Sequence, residues 1–209
     1  MSRLLYIQAS PRAGQSLSLA LAGSFLATYR GLHPADTVTV LNVFQVDLPP
    51  FDGAVLAAKY AVLNGQPHTA AQAEAWKAVE RVAAEFAAHD KFVIAAAMWN
   101  FSIPYRLKHY LDLLIQPGLT FRFSPESGYS GLVTGKPAFL ALARGGEYPP
   151  GTPAEAFDFQ SPYLKTVLGF IGFTRIETVV VEPTLGDPAL TARRLEEAKA
   201  RAAEIARSF

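Results

Sequence analysis

The chain has 209 residues, 50% of them hydrophobic, and a formal net charge of +1. This length suffices for one α/β domain with a sizeable core, and we expect a single domain over residues 1–209. The balance of 19 basic and 18 acidic residues argues against broad nucleic-acid binding and against a polybasic membrane surface. The lack of cysteine excludes disulfides, thiol nucleophiles and cysteine-ligated metal centres.

Targeting and metal-binding signals are also missing. The apolar run Leu4–Ile7 is too short for a signal peptide, and the uncharged stretch Phe92–Trp99 is too short for a membrane helix. We therefore expect a soluble, cytoplasmic protein with no membrane partner. The histidines are dispersed without a spacing such as H-E-x-x-H, so no metal site is expected, and no G-x-S-x-G elbow indicates a hydrolase.

Strand-like and helix-like segments alternate along the chain. In order, the pattern predicts strand Arg3–Gln8, helix Ser16–Arg30, strand Thr37–Val43, a short helix at Ala54–Leu63, helix Thr69–Ala88, strand Lys91–Ala97, helix Tyr105–Ile115, strand Lys136–Ala143, helix Phe157–Gly172, strand Arg175–Glu182 and helix Pro188–Ala206. Ser16 and Ser18 are candidate caps of the first helix. The segments Asp52–Thr69 and Thr120–Val133 are predicted to be mainly long loops.

Five short apolar strands alternating with helices are typical of a doubly wound α/β fold with a parallel sheet. Right-handed crossovers and short connections favour the flavodoxin-like strand order 2-1-3-4-5, with helices on both faces in a three-layer arrangement. In such sheets, ligands bind beyond the carboxyl ends of the strands at the point where the strand order reverses. The segments that follow strands one, three and four are therefore the candidate site.

The segment after strand one, Gln8–Ser18, is rich in hydroxyl groups. Ser10, Ser16 and Ser18 lie beside a helix start whose free N–H groups and positive dipole end favour an anion. Neither G-x-G-x-x-G nor a P-loop motif is present, which argues against a pyrophosphate site. The loop suits a terminal monoester phosphate such as that of FMN, and the alternative is an ordinary turn with serine caps.

Aromatic and amide side chains follow strand three at Met98, Trp99, Asn100 and Phe101. Their chemistry suits a flat heteroaromatic ring, since Asn100 can donate and accept hydrogen bonds at a ring edge. The alternative is a hydrophobic plug at the strand end.

After strand four come Ala143, Arg144, Gly145 and Gly146. Two adjacent glycines allow a backbone to approach a ligand closely, and the arginine could contribute a charge or a stacking plane. The position of the loop favours a role in clamping the ring. The alternative is a flexible loop with a solvated arginine.

Several segments, spread in order over nearly the whole chain, together carry a family resemblance. They are Ser10 with Ser16–Ser18, His89–Asp90, Met98–Phe101, Leu107–Lys108, Tyr110–Asp112, Gly118–Phe123, Gly131–Lys136, Arg144–Gly146 and Leu168–Gly172. The chain resembles the bacterial FMN-dependent NADH-azoreductases, also called NADH:quinone oxidoreductases. The resemblance implies a homodimer with FMN bound near the dimer interface.

By the same resemblance, the FMN phosphate maps onto Ser10 and Ser16–Ser18, including Leu17, and the flavin ring maps onto Met98–Phe101 and Ala143–Gly146. One departure is Ala143, where many relatives carry a serine or threonine, so any bond from that position must come from the backbone. The apolar wall of the substrate pocket is expected to include Phe121, Phe123 and Phe170.

The implied reaction uses NADH or NADPH as electron donor and quinones, azo compounds or nitroaromatics as acceptors, in ping-pong order through the flavin. No protein acid or base is required, since the cofactor carries the redox chemistry. The alternatives are a non-enzymatic flavodoxin-like electron carrier and an α/β signalling domain without a cofactor. The near-neutral charge and the expected long loops argue against the carrier.

Overall fold

The computed structural model describes residues 1–209. Its elements in chain order are β1 (Arg3–Ala9), α1 (Leu17–Leu32), β2 (Thr37–Asn42), α2 (Gly53–Leu63), α3 (Ala70–Ala87), β3 (Lys91–Ala97), α4 (Tyr105–Leu114), β4 (Phe121–Ser124), β5 (Gly128–Gly131), β6 (Pro137–Ala143), α5 (Ser161–Ile171), β7 (Arg175–Val181) and α6 (Pro188–Arg207). Short 3₁₀ turns at Ala13–Gln15 and Pro153–Phe157 complete the list.

The main sheet has five parallel strands in the order β2-β1-β3-β6-β7. The predicted order 2-1-3-4-5 is confirmed, because β6 and β7 are the fourth and fifth of the predicted strands. At the centre of the sheet Ile7 pairs with Ile94, and Ile94 pairs with Leu140. Strands buried on both faces explain why these segments are continuously apolar rather than alternating.

Two separate cores lie on the two faces of the sheet. The larger core has 28 buried residues and includes the inner faces of α3, α4 and α5. The smaller core has 19 buried residues and joins the sheet to α1 and α6. Successive residues of β1 alternate between the two cores, with Leu5 and Ile7 in one and Leu4 and Tyr6 in the other. This alternation is the two-residue period of a strand.

The segment Thr120–Val133, predicted as a loop, instead forms the antiparallel hairpin β4–β5. Three residues connect its strands, and Gly128 follows them with a φ of 68°. A residue in the left-handed region is what a three-residue hairpin connection requires, and glycine adopts it without a steric cost. The hairpin packs against α5, because Val133 donates its N–H to the Ile171 carbonyl at 2.9 Å.

The predicted helix Phe157–Gly172 is shorter than expected, since α5 begins only at Ser161. The Asp158 carboxylate accepts hydrogen bonds from the N–H groups of Gln160 (2.9 Å) and Ser161 (3.0 Å). These bonds satisfy the first free donors of α5 and give residues 158–160 a non-helical path. No helix in the structure is long and apolar enough to cross a membrane.

Candidate active site

A cavity of about 230 Å³ opens at the carboxyl ends of β1, β3, β6 and β7. Its walls are formed by Ser10, Pro11, Arg12, Gln15, Ser16, Leu17, Ala97, Met98, Trp99, Ala143, Gly145, Thr184 and Leu185. The cavity therefore lies at the edge of the sheet that the strand order predicts for a ligand.

A larger cavity of about 420 Å³ lies between the loop after β6 and α6. Its wall is dominated by Glu147, Glu182, Arg194 and Glu197. Arg194 forms ion pairs with Glu147 at 3.6 Å and with Glu197 at 3.4 Å. Because the larger cavity is lined mainly by charged side chains and has no aromatic surface, the smaller cavity is the better candidate for binding a flat ligand.

The first wall of the candidate cavity is the start of α1. Ser16 caps this helix, accepting from the Leu19 N–H at 3.4 Å, and its Oγ lies 3.1 Å from the Ser18 Oγ. Ser18 is the second residue inside α1 rather than a cap, whereas the prediction of Ser16 as the cap is confirmed. The N–H groups of Leu17 and Ser18 donate to no protein acceptor. Free donors at a helix start, one of them buried, match the requirements of a phosphate.

The side-chain charge at this wall is positive, like the dipole end of α1. Arg12 lies at the rim of the cavity, is exposed and forms no ion pair with any carboxylate. A free guanidinium beside the positive end of a helix dipole attracts a dianion. Ser10 is buried on the same wall and accepts from the Arg12 N–H at 3.4 Å.

The opposite wall is formed by Met98 and Trp99, and a tight turn at Trp99–Ser102 continues from it. Asn100 lines the neighbouring opening rather than this cavity, and Phe101 lines neither of them. The Trp99 N–H donates to the Ser102 carbonyl at 2.9 Å, and the Ser102 N–H donates back to Trp99 at 3.0 Å. Between them, Asn100 has a φ of 47° and Phe101 a φ of 69°. Two positive φ values in succession define a type I′ turn, which normally uses asparagine and glycine.

Phenylalanine at this position is strained, because a Cβ in the left-handed region costs about 1–2 kcal/mol. The strain leaves the N–H groups of Asn100 and Phe101 without a protein acceptor. Strained backbone is commonly maintained at binding sites. The turn thus offers two N–H donors and the Asn100 amide beside the Trp99 ring.

Loop residues after β2 support this turn. Phe44 contacts the rings of Trp99 (5.7 Å between centroids) and Tyr105 (5.9 Å). Arg106 fixes the loop, because its guanidinium donates to the carbonyls of Val43 and Val46, both at 2.6 Å. The sequence analysis missed Phe44, and its position just after a strand end was the available signal.

The third wall is the end of β6. A Cβ at Gly145 would lie 2.8 Å from the Leu185 side chain, so any larger residue here requires that exposed leucine to move aside. Ala143 lines the cavity beside it, as expected from the sequence. Thr184 and Leu185, which follow β7, were not among the predicted site residues, although they too come just after a strand end.

Arg144 does not reach this wall. Its side chain is only 4% exposed and is held by Asp158 at 2.7 Å and Glu182 at 3.3 Å. The expected charge or stacking plane against a ring is therefore not available from its guanidinium. Gly146 also lies outside the cavity wall, where its nearest neighbour is Tyr148.

A second opening lies on the other side of Trp99, with a volume of about 410 Å³, and it is lined by Asn100, Lys108 and Tyr163 among others. Burial lowers the pKa of Lys108, but the hydrogen bond that Lys108 donates to Asp112 and the charges of Tyr163 and Asp112 together outweigh burial, so the net pKa is raised. Burial raises the pKa of Tyr163. Lys108 is therefore a fixed positive charge, paired with Asp112 at 2.5 Å.

The aromatic residues expected to line the substrate pocket form a separate cluster. The ring centroid of Phe121 lies 4.8 Å from that of Phe170 and 6.0 Å from that of Tyr129. The ring centroids of Phe123 and Tyr129 are 5.0 Å apart. None of them lines the candidate cavity of this chain. Phe123 and Tyr129 are exposed, at 60% and 65%.

Comparisons with known proteins agree with this architecture. The profile of a family described as having a flavodoxin-like fold matches residues 2–206. Two relatives, both FMN-dependent NADH:quinone oxidoreductases, come from Nitratidesulfovibrio vulgaris (50% identity, covering all of both chains) and Desulfotalea psychrophila (46%, covering all of this chain and 98% of the relative). This protein is thus a member of the flavodoxin-like fold class.

Solved structures give the same result. An azoreductase from Bacillus anthracis str. Sterne is 32% identical, covers all of both chains and has a TM-score of 0.91. An FMN-dependent NADH-azoreductase from Bacillus anthracis str. Ames Ancestor, in complex with FMN, is 26% identical over 99% of this chain and all of its own, with a TM-score of 0.86. The chain belongs to the family of FMN-dependent NADH:quinone oxidoreductases and azoreductases.

Proposed function

We propose that this protein is an FMN-dependent oxidoreductase that uses NADH or NADPH to reduce quinones and aromatic azo compounds. The observation that carries the proposal is the pairing of two features in one cavity. A helix start with free N–H groups faces Met98 and Trp99 across the cavity, and the strained turn that continues from Trp99 offers two further N–H donors. The names of the relatives favour the same activity.

The residues of the first wall fit the phosphate of FMN. The N–H groups of Leu17 and Ser18 have no protein acceptor, and the Ser18 N–H is buried, so leaving it unpaired costs free energy. The hydroxyls of Ser10 and Ser16 add further donors, and Arg12 adds charge. Ser18 contributes its backbone N–H, and its hydroxyl positions the side chain of Ser16.

The remaining walls fit the ring. Met98 and Trp99 provide apolar surface, and the N–H groups of Asn100 and Phe101 can donate to the carbonyl and nitrogen atoms at the ring edge. On the β6 side, Ala143 and Gly145 line the cavity and offer only backbone groups, and Gly146 follows them just outside its wall. Arg144 belongs to this binding segment through its backbone position rather than its side chain.

When bound, FMN supplies the redox chemistry, accepting a hydride from the nicotinamide donor and passing the electrons to the acceptor. The chain contributes orientation, hydrogen bonds and an apolar surface beside the ring. No side chain in the cavity is placed as an acid or base, so solvent supplies the protons through the open mouth. One shared opening beside Trp99 favours donor and acceptor binding in turn, which is a ping-pong order, and nitroaromatics are acceptors of similar shape.

We further propose a homodimer that acts in the cytoplasm. The exposed aromatic side chains of Phe123, Tyr129 and Phe170 cluster on the β4–β5 hairpin and α5, and the half-buried Phe121 packs against Phe170. Contiguous exposed apolar surface of this kind marks interaction sites. A second copy covering it would turn these residues into the apolar wall of the substrate pocket. Light scattering or sedimentation measures the assembly directly.

The test of the activity uses the visible spectrum of the purified protein reconstituted with FMN. Anaerobic NADH is expected to bleach the flavin band, and a quinone, an azo dye or a nitroaromatic is expected to restore it in a separate step. Double-reciprocal plots of initial rate against acceptor concentration, recorded at several NADH concentrations, would support the ping-pong order if their lines are parallel. A protein that binds no FMN contradicts the proposal, whereas one that binds FMN without bleaching by NADH or NADPH is an electron carrier.

A further inference from the structure

The Arg144 side chain is the centre of a buried hydrogen-bond network next to the candidate cavity. Its Nε donates to the Gln160 side chain at 3.1 Å, and one terminal nitrogen donates to Asp158 at 2.7 Å and to the Ser161 hydroxyl at 2.5 Å. The other terminal nitrogen reaches Glu182 at 3.3 Å. All but one of these partners lie in the segment 158–161, which leads into α5.

That segment is tied directly to the strained turn. The Phe159 N–H donates to the Phe101 carbonyl at 3.0 Å, and it is shared with the Phe157 carbonyl at 3.1 Å. The Phe101 and Phe157 rings also contact each other, with centroids 5.4 Å apart. The Gln160 amide donates to the carbonyl of Ala96 in β3 at 3.3 Å. The segment therefore bridges the ends of β6 and β3.

We infer that Arg144 is a positioning residue for the flavin ring, acting through Asp158 and Phe159 on the strained turn at Asn100 and Phe101. Its guanidinium holds the segment 158–161, and the Phe159 N–H then holds Phe101 in the left-handed conformation. That conformation leaves the turn's own N–H groups free for the ring edge. The inference rests on the proposed function, because it takes the ring to lie against this turn.

The arrangement is hard to explain as a stabilising feature alone. Burying an arginine with carboxylates carries a large desolvation cost, and well-packed apolar residues often give equal or greater stability. Every hydrogen-bonding nitrogen of Arg144 is nevertheless used, and its planar fork fits partners in three directions. Strain at Phe101 persists only if its surroundings fix it, and Phe159 provides the one hydrogen bond from outside the turn.

The test separates the N–H of Phe159 from its ring. Phe159→Pro deletes the donor, and the preceding Asp158 already has a backbone that tolerates a following proline, with φ −81° and ψ 88°. Phe159→Ala is the matched control, because it keeps the N–H and removes an exposed ring. Each variant is titrated with FMN by quenching of flavin fluorescence, and the visible circular dichroism of the bound flavin is recorded.

We expect Phe159→Pro to weaken FMN binding by about tenfold, the effect of one lost hydrogen bond, and to change the flavin dichroism. Phe159→Ala should match the wild type in both measurements. Arg144→Lys keeps the charge but loses the fork, so it should change the dichroism in the same way, while the surface variant Arg175→Lys should not. Should Arg144→Lys fail to fold, Ser161→Ala takes its place, because it removes one acceptor of the guanidinium and should change the dichroism in the same way.

Wild-type affinity and dichroism in Phe159→Pro, or wild-type dichroism in folded Arg144→Lys, would overturn the inference while leaving the proposed function intact. If instead the wild-type protein itself binds no FMN, the proposed function fails and the inference falls with it. Equal losses in Phe159→Pro and Phe159→Ala would also overturn it, because the ring rather than the N–H would then be responsible.

Discussion

The two main walls of the cavity are built in opposite ways. On the α1 side, the supporting contacts are local, since Ser16 bonds to Leu19 three residues away and to Ser18 two residues away. On the Trp99 side, support comes from distant parts of the chain, as with Arg106, which reaches back 63 residues to Val43. The wall at the start of α1 is thus encoded by neighbouring residues, whereas the wall at Trp99 depends on the completed tertiary structure.

The two walls also differ in backbone strain, because the α1 side has one non-glycine residue with a positive φ, Ala13 at 43°, whereas the Trp99 side has two in succession. Ser16 has an extended conformation, φ −87° and ψ 118°, which is normal for a helix cap. Asn100 and Phe101 both lie in the left-handed region. We expect the first wall to survive changes elsewhere in the molecule and the second to respond to them.

The largest expected effect is on the local wall. The double variant Ser16→Ala, Ser18→Ala removes the cap and the hydroxyl that orients it, so FMN affinity should fall by about 100-fold, since each hydrogen bond to a charged group contributes about 1.5–3 kcal/mol. Fluorescence titration with FMN measures the change. Ser24→Ala is the control, because Ser24 also lies on α1 but its hydroxyl donates to the Lys199 carbonyl of α6 and does not line the cavity. Unchanged affinity in the double variant would remove the phosphate from this wall.

A second variant disturbs a contact between distant parts of the chain, at the far end of the helix that follows the segment 158–161. A Cβ at Gly131 would lie 2.3 Å from the backbone of Ile171 and Gly172, at the end of α5. Because backbone cannot move aside cheaply, Gly131→Ala should lower the free energy of unfolding by about 2 kcal/mol. Urea denaturation gives this value. Gly23→Ala, on the exposed face of α1 with no atom within 4 Å, should be neutral or stabilising.

The smallest effect tests the strain itself. With the ring removed, Phe101→Gly should be more stable than Phe101→Ala by about 1 kcal/mol, because only glycine adopts the left-handed region freely. The opposite order is expected in the middle of α1, where Ala27→Gly should cost about 1 kcal/mol. Urea unfolding of the protein without FMN compares the four chains. An alanine variant as stable as the glycine variant would mean that position 101 is not strained.

The contrast also explains what the sequence could predict. Hydrophobic runs and helix caps predicted all five strands of the main sheet, because both signals lie in neighbouring residues. Ser10, Ser16 and Leu17 were found for the same reason, and they line the cavity. Met98 and Trp99 were found from their place after a strand end.

What could not be predicted depends on distant contacts. Nothing near Arg144 in the sequence shows that its guanidinium turns away from the cavity, because Asp158 and Glu182 reach it only in the folded chain. The late start of α5 has the same origin, since Asp158 is both the partner of Arg144 and the residue that receives the first N–H groups of the helix. The hairpin β4–β5 did have a local signal in Gly128, which the loop prediction overlooked.

The cavity draws its walls from the ends of β1, β3, β6 and β7, so it exists only after the whole sheet has assembled. An unfolded chain offers FMN none of these walls together. A ligand that binds only the native state stabilises it, by about 2.7 kcal/mol at one hundred times its dissociation constant. Flavin supply should therefore govern how long the chain survives proteolysis in a cell, as well as how fast it turns over.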